Sequence, residues 1–292
     1  MRPSIFMINK YKVVSGYAGI TLEEYLKEFN LGKPKIHNLF QNKEIKVNSE
    51  FVYREYILKE NDIIEINFSE EIDFIIEKRK LDIVYEDDYL LIVNKPSNIL
   101  VHPDSKEKGG TMANVVAYYY QNNDYKYSIK YAHRLDLDTT GILIFVKDSL
   151  TLAKITKLIS THELKRTYMC LVSGILKNKK NTINLPIGED RHHKQRRRVS
   201  KTGQEAITHY EVVKEYKNYS LLRVNLETGR THQIRVHLSS IGHPLLGDVL
   251  YGGSDKYKRT MLHSYEVDFI HPVTLERINV RKELPFDMKK LV

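Results

Sequence analysis

The stretch HRLDLDTTGILIFV, residues 133–146, decides the fold because a polar run passes directly into a continuous apolar run. An apolar run without polar interruption predicts a strand that is buried on both faces of a sheet. A loop that leads into such a strand holds its side chains rigidly, which suits catalysis or binding. The same residues also fit a simple turn in which Asp138 and Thr139 bond to the nearby backbone. Taken alone, the stretch leaves both interpretations open.

Further strand-like runs on both sides of this stretch indicate the fold class. They alternate with only two or three helical patterns, near residues 110–121, 149–163 and 230–240. Mixed strands with few interposed helices favour an α+β fold, with a largely antiparallel mixed sheet and flanking helices, over a doubly wound α/β sheet. The runs that predict strands are 82–85, 90–94, 142–146, 167–172, 206–213, 220–225 and 277–280.

The first 68 residues predict a separate and smaller α+β unit. Two helical patterns and three short β-type runs cover, in order, residues 22–29, 36–40, 45–47, 51–58 and 63–66. The segment that follows is rich in charge and is interpreted as a linker or a short helix. Because 292 residues allow two domains, we expect a small domain at 1–68, a linker at 69–80 and a larger domain at 81–292.

The composition is that of an ordinary folded protein. The hydrophobic fraction is 41% and the charged fraction is 28%, which excludes a disordered chain and a collagen-like chain. Cys170 is the only cysteine, so an intramolecular disulfide and a cysteine-rich zinc site are excluded, and a reducing, cytoplasmic location is expected. We find no apolar run long enough for a signal peptide or a membrane span.

The net charge of +9 is concentrated in one block of the chain. Residues 147–235 carry 19 lysines and arginines against 8 aspartates and glutamates, whereas residues 1–68 carry 10 against 9. A surface that binds the phosphate backbone of a nucleic acid needs such a concentration of positive charge. The densest run, RHHKQRRR at residues 191–198, is either a solvated loop or a phosphate contact through Arg196, Arg197 and Arg198.

A second polar cluster, GRTHQIRVH at residues 229–237, stands between a predicted strand and a predicted helix. Arg230 would lie at the strand end, where it can reach a carboxylate or a phosphate by a bidentate contact. His232 and His237 are five residues apart, not the three or four that place two ligands on one helix face. With one cysteine and no HExxH motif, the sequence does not favour a metal site.

Five stretches, taken in chain order, carry a family resemblance. They are EDDYLLIVNKPSNILVHP (86–103), HRLDLDTTG (133–141), KRTYMCLVSG (165–174), GRTHQIRVHLSSIGHPLLGDVLYG (229–252) and MLHSYEVDFIHPVT (261–274). Together they resemble the RluA-type pseudouridine synthases over residues 80–285. Residues 1–68 resemble an S4-type RNA-binding module, in which Lys33 and Lys35 stand where arginines are usual.

The resemblance implies an enzyme that isomerises uridine to pseudouridine within RNA and needs no cofactor or metal. The N1–C1′ bond breaks, the uracil turns, and C5 bonds to C1′. By resemblance, Asp136 is the nucleophile and Arg230 is the cation that keeps its carboxylate ionised in a closed pocket. Tyr168 corresponds to the active-site tyrosine of the family, whose ring can stack on the uracil and whose hydroxyl can move the C5 proton.

The resemblance also assigns RNA contacts beside the nucleophile. The target uracil must leave its stack to reach Asp136. By resemblance, Arg134 holds the space around the flipped nucleotide, and His133 is grouped with it as an RNA-binding residue. We treat Asp138 as structural. Leu137 stands where many relatives have a basic residue.

Hypotheses from three classes follow. The first is an RNA pseudouridine synthase acting on large-subunit ribosomal RNA, the usual substrate of family members with an S4 module, with transfer RNA as the alternative. The second is an inactive RNA-binding assembly factor. The third is a hydrolase or nuclease, for which we find neither a nucleophile elbow nor metal-ligand spacing. RNA is the expected partner and a membrane is not. A monomer is expected because nothing resembles a dimerisation stripe.

Overall fold

The N-terminal unit is a three-stranded antiparallel sheet that shares one apolar core with two helices. Its elements are β1 (Ile5–Lys12), α1 (Leu22–Glu28), α2 (Lys33–Gln41), β2 (Ile45–Val47) and β3 (Ile63–Glu70), with β3 in the centre of the sheet. The computed structural model describes residues 5–70, 75–103, 109–125 and 127–292. Both predicted helices are confirmed, as are the strands predicted at 45–47 and 63–66.

Helix α1 begins at a reciprocal capping box. Thr21 Oγ1 accepts from the backbone N–H of Glu24 at 3.2 Å, and Glu24 Oε2 accepts from the backbone N–H of Thr21 at 2.8 Å. The two side chains thereby satisfy backbone donors at the helix start. The prediction of a β-type run at 51–58 is wrong, since these residues do not form a strand. A turn at Arg54 and Glu55 interrupts it, and only an isolated bridge to Ile57 forms.

The larger unit is built on a ten-stranded mixed sheet. Its strands are β4 (Ile83–Glu86), β5 (Leu90–Lys95), β6 (Lys130–Tyr131), β7 (Thr140–Val146), β8 (Lys165–Ser173), β9 (Lys180–Asn184), β12 (Ile207–Glu215), β13 (Tyr219–Leu226), β14 (Leu262–Ile270) and β15 (Arg277–Arg281). The main path is β4-β5-β7-β14-β8-β13-β12-β9, with β15 beside β14 and β6 beside β7. Among the strands of the described ranges, only β7 and β14 pair in parallel. The predicted α+β fold with a largely antiparallel sheet is confirmed.

A short hairpin and four helices complete the described part of the larger unit. They are β10 (Ile187–Glu189), β11 (Arg197–Val199), α3 (Met112–Asn122), α4 (Ser149–Ser160), α5 (Gln233–Ser240) and α6 (Phe286–Lys289). Helices α3, α4 and α5 confirm the three helical patterns. The basic run at 191–198 connects β10 to β11, so part of it is a strand and not a simple loop.

Strand β7 is the buried strand that the opening run predicts, since all seven of its residues are buried. Its first residues pair in parallel with β14, where Ser264 lies opposite Gly141. The φ angle of Gly141 is 106°, and a Cβ atom there would lie 2.1 Å from Ser264 O. Only glycine allows this approach. This close parallel pairing of β7 with β14 fixes the end of the polar loop that leads into β7.

The two units share a buried interface. Tyr11 of β1 stacks on Tyr89 with ring centroids 5.8 Å apart, and its hydroxyl donates to Asp148 Oδ1 at 2.6 Å. The hydroxyl of Tyr17 donates to Pro272 O at 2.8 Å. Buried aromatic contacts and hydrogen bonds therefore hold the small unit against the larger one, in addition to the chain connection.

The boundary predicted at residue 68 falls inside β3. Residues 75–80 of the predicted linker form neither helix nor strand, and residues 71–74 lie outside the described residues. Within the described ranges, no helix combines the length and the apolar character needed to cross a membrane.

Candidate active site

A cleft of about 530 Å³ opens where three segments of the larger unit meet. The segments are the loop before β7, strand β8 and the turn that leads into α5, and the C-terminal end of α4 also borders the cleft. Five of the predicted site residues line the cleft: His133, Arg134, Asp136, Tyr168 and Arg230. Nothing in the described ranges groups three or more His, Cys, Asp or Glu side chains so that they could hold a metal ion.

The loop that carries Asp136 is held through its backbone by two buried basic side chains. Lys95 Nζ donates to Leu137 O at 2.9 Å, and Arg259 Nη1 donates to Asp138 O at 3.3 Å. Because the carbonyl groups of the next two residues are fixed, the carboxylate has a defined position. Sequence reasoning missed both Lys95 and Arg259. The signal for Lys95 was its place in the NKP run of the first family-like stretch.

The cation beside Asp136 is Arg235, not Arg230 as the resemblance implied. Arg235 Nη1 lies 3.2 Å from Asp136 Oδ2, and Arg235 also pairs with Asp248 through two bonds of 2.7 and 2.8 Å. Arg230 Nε instead donates to the carbonyl oxygen of Glu205 at 2.9 Å. The physical reason is the start of α5. Arg230 precedes the helix, whereas Arg235 lies in its first turn and reaches the loop.

Asp248 fixes the orientation of Arg235. Its side chain is only 1% exposed, and it binds the guanidinium at Nε and Nη2. Burial lowers the pKa of Arg235, but the hydrogen bonds to Asp248 and the charge of Asp136 outweigh it, so the pKa is raised overall. The guanidinium stays charged and presents Nη1 to Asp136. A lysine has no planar fork with which to make both contacts.

Tyr168 lies in β8 and is 4% exposed, yet it borders the cleft. Burial raises the pKa of its hydroxyl. The charge of Arg166 opposes this rise and the charge of Asp136 adds to it. The phenol is therefore protonated at neutral pH. Its ring can face a base in the cleft, and its hydroxyl can donate a hydrogen bond.

His133 and Arg134 occupy different environments although they are adjacent. His133 is 9% exposed, and its Nε2 accepts from the backbone N–H of Ile144 at 3.4 Å. Burial lowers the pKa of His133 to about 3, so the ring is neutral at pH 7. It ties the loop to β7. Arg134 is exposed beside the cleft, as an RNA contact requires.

The basic hairpin, defined here as residues 187–199, stands beside the same cleft. Arg197 Nη1 pairs with Glu189 at 3.0 Å, and its backbone N–H donates to the hydroxyl of Tyr251 at 2.8 Å. A second cleft of about 410 Å³ lies between this hairpin and Arg230, which borders both clefts. Arg196 and Arg198 flank Arg197 in the hairpin. The positive charge therefore continues from the first cleft to the second.

Lys33 and Lys35 lie elsewhere, in the first turn of α2, where both are exposed. They belong to the N-terminal unit and line neither cleft. The structure thus brings the predicted residues of the larger unit together and leaves these two lysines on a separate surface.

Comparison with known proteins identifies the family. Residues 89–240 match the model of the RNA pseudouridylate synthases, and residues 10–64 match that of the RluD ribosomal pseudouridine synthase N-terminal domain. An uncharacterized RNA pseudouridine synthase of Bacillus subtilis, YhcT, is 46% identical over 89% of this chain and 87% of its own length. The ribosomal large subunit pseudouridine synthase D of Haemophilus influenzae is 33% identical over 93% of this chain and 89% of its own length.

The fold agrees with solved structures. Human RNA pseudouridylate synthase domain containing 1 superposes with a TM-score of 0.59 at 24% identity, over 71% of this chain and 84% of that one. Human RNA pseudouridylate synthase domain containing 4 superposes with a TM-score of 0.60 at 22% identity, over 72% of this chain and 92% of that one. The chain belongs to the RNA pseudouridylate synthase family. It is an isomerase that converts uridine in RNA to pseudouridine.

Proposed function

We propose that this enzyme isomerises specific uridines in large-subunit ribosomal RNA, with Asp136 as the nucleophile. The observation that carries the proposal is the setting of that carboxylate, in a loop fixed by two buried basic side chains and paired with Arg235 in a cleft. Ribosomal RNA is favoured over transfer RNA by the name of the H. influenzae relative and by the family of the N-terminal segment.

In the proposed reaction, Asp136 bonds to an electron-deficient carbon of the target nucleotide, and the ion pair with Arg235 orients its carboxylate beforehand. The N1–C1′ bond breaks, the uracil turns, and the C5–C1′ bond forms. Asp136 then leaves unchanged. C5 gives up one proton and N1 takes up one, so the product is an isomer of the substrate and no redox step is needed.

Tyr168 is proposed to stack on the uracil and to move the C5 proton. Because burial keeps its hydroxyl protonated at rest, the hydroxyl acts as a relay that passes on its own proton as it accepts the one from C5. The aromatic face supplies the stacking contact that a flipped base loses when it leaves the RNA.

The RNA itself is proposed to bind along the basic hairpin and the two clefts. Arg134 contacts the flipped nucleotide, and Arg230 contacts the backbone between the clefts. Arg196, Arg197 and Arg198 bind phosphates, and Lys33 and Lys35 add contacts from the N-terminal unit. We propose that the enzyme acts as a monomer, since one chain supplies the whole cleft, and that it works in the cytoplasm, which the single buried Cys170 also suits.

The test is a map of pseudouridines across ribosomal and transfer RNA from cells with and without the gene. We expect one or a few sites in large-subunit RNA to vanish on deletion and to return with the wild-type gene. Asp136→Asn should not restore them, although the purified variant should still bind the RNA.

Asp138→Asn is the matched control, since it removes a carboxylate two residues away that does not line the cleft. This control should restore the sites. Restoration by Asp136→Asn would overturn the mechanism, and loss of sites only in transfer RNA would overturn the substrate.

A further inference from the structure

Tyr251 lies behind the cleft, and its ring contacts the guanidinium groups of two arginines. It is 5% exposed and ends the short 3-10 turn that follows Asp248. The guanidinium carbon of Arg235 lies 4.9 Å from the ring centroid, and that of Arg196 lies 5.5 Å from it. Guanidinium groups at these distances are attracted by an aromatic ring. One ring therefore supports both the partner of Asp136 and an arginine of the basic hairpin.

The hydroxyl of Tyr251 favours the tautomer of His232 that carries its proton at Nε2. It accepts from the backbone N–H of Arg197 at 2.8 Å and lies 2.8 Å from His232 Nδ1. Because the backbone N–H is a donor only, the single phenolic proton is free for Nδ1. A neutral imidazole that accepts at Nδ1 carries its proton at Nε2.

The Nε2 atom of His232 faces the nucleophile, 4.0 Å from Asp136 Oδ1. Burial lowers the pKa of His232. The charges of Arg235 and Arg197 act in the same direction, while those of Asp136 and Asp248 oppose it, so the ring is neutral. The two oxygens of the nucleophile thus have different neighbours: Arg235 at Oδ2 and the Nε2–H group of His232 near Oδ1.

The backbone at His232 has an uncommon conformation, which fits a position held by the surroundings. Its φ and ψ angles are 59° and 20°, in the left-handed region, at the residue before α5. Few non-glycine residues adopt this conformation, although histidine does so more readily than most, and neighbouring contacts hold it in place. The hydrogen bond from Tyr251 is one of those contacts.

We propose that Tyr251 is a positioning residue for uridine isomerisation. Its hydroxyl fixes His232 with Nε2–H directed at Asp136 Oδ1, and its ring supports Arg235 at Oδ2. The place of the basic hairpin, which also bonds to Tyr251, is thereby linked to the orientation of the nucleophile. The proposal rests on the proposed function of Asp136, but the state of the His232 ring can be measured without RNA.

The first experiment compares Tyr251→Phe with Tyr219→Phe. Each variant loses one tyrosine hydroxyl. That of Tyr251 bonds to the backbone N–H of Arg197 and to His232 Nδ1, whereas that of Tyr219 donates to Leu291 O outside both clefts. We expect Tyr251→Phe to lower the single-turnover rate at saturating RNA by about tenfold, the effect of one such hydrogen bond. Its RNA dissociation constant should change by less than about threefold. Tyr219→Phe should retain the wild-type rate. Equal rates for the two variants would overturn the proposal.

The second experiment tests whether the hydroxyl acts through His232. His232→Asn is suitable because asparagine tolerates the left-handed backbone. If Tyr251 acts through His232, the double variant should react no more slowly than His232→Asn alone. Fully additive losses would contradict the proposal.

The third measurement is the ¹⁵N spectrum of the His232 ring in the free protein. Wild type should show a protonated Nε2 and an accepting Nδ1, and Tyr251→Phe should shift the population towards the other tautomer. An unchanged tautomer would overturn the proposal. An inactive wild type on every RNA, with the expected tautomer shift, would instead refute the proposed function alone.

Discussion

Arg235 Nη1 and Asp136 Oδ2 lie 3.2 Å apart, although the two residues are 99 positions apart in the chain. The contact exists because the first turn of α5 faces the loop before β7. Arg230, five residues earlier, borders the same cleft but bonds to a backbone carbonyl. Two arginines of one motif therefore have different partners, the carboxylate of Asp136 for Arg235 and a backbone carbonyl for Arg230, so their proposed roles can be tested separately.

Exchanging each arginine for lysine separates these roles. Arg235→Lys keeps the charge but loses the bidentate pair with Asp248, so we expect the single-turnover rate to fall about 100-fold. Unfolding in urea should show a loss of stability of about 2 kcal/mol, since Asp248 is buried and loses a partner. Arg230→Lys should weaken RNA binding but keep the rate at saturating RNA within about threefold. A larger rate loss for Arg230→Lys would support Arg230 as the cation that acts on Asp136, the role that the family resemblance implied.

Neutralising the basic hairpin should change how RNA binding depends on salt. Replacing Arg196, Arg197 and Arg198 with glutamine removes up to three phosphate contacts. We expect the slope of log K against log salt to become shallower by about 2 to 3. A matched variant that neutralises three cations outside both clefts, Arg277, Arg281 and Lys289, should keep the wild-type slope. Equal slopes for the hairpin variant and wild type would exclude phosphate binding by the hairpin.

Gly141→Ala should destabilise the protein strongly. The new Cβ would lie 2.1 Å from Ser264 O at a φ angle of 106°, so β7 and β14 would have to separate. We expect a loss of more than about 3 kcal/mol in urea unfolding. Gly109→Ala is the control, since a Cβ there meets nothing within 4 Å, and it should change stability by less than about 0.5 kcal/mol. Similar changes in the free energy of unfolding for both variants would show that the parallel pairing of β7 with β14 tolerates a side chain at position 141.

The parts of the fold that the sequence predicts are those with a local pattern. The apolar run of β7 and the helical spacing of α4 are legible because burial repeats at the period of the element. Strand β1 is not predicted, because its pairing depends on β3, more than 50 residues later in the chain. The run at 51–58 has strand-like residues but no continuous partner strand in the described part of the chain, and a turn divides it.

The site divides in the same way. Asp136, Tyr168 and Arg134 are identified by motif, and the structure places them at one cleft. The choice of Arg235 over Arg230 depends on the packing of α5 against a distant loop, which no spacing in the motif reveals. The support from Tyr251 is also hidden, since it needs the hairpin and the turn after Asp248 to meet.

Lys95 should make the stability of the protein depend on pH in an identifiable way. Burial lowers the pKa of its ammonium group to about 7, against the opposing charges of Asp136 and Asp138. An unfolded lysine has a pKa of about 10.4. Between these values the unfolded chain binds a proton that the folded protein lacks, so the contribution of Lys95 to stability rises with pH. The neutral amine still has two N–H donors for the carbonyls of Pro96 and Leu137.

The measurement is urea unfolding of wild type and Lys95→Met at several pH values. The difference in unfolding free energy should grow in favour of wild type by about 2 kcal/mol between pH 7 and pH 9, since each pH unit contributes about 1.4 kcal/mol at most. Lys177→Met, at an exposed lysine, should give a constant difference over the same range. A constant difference for Lys95→Met would mean that Lys95 remains charged in the folded protein, and that an ammonium ion holds the nucleophile loop throughout.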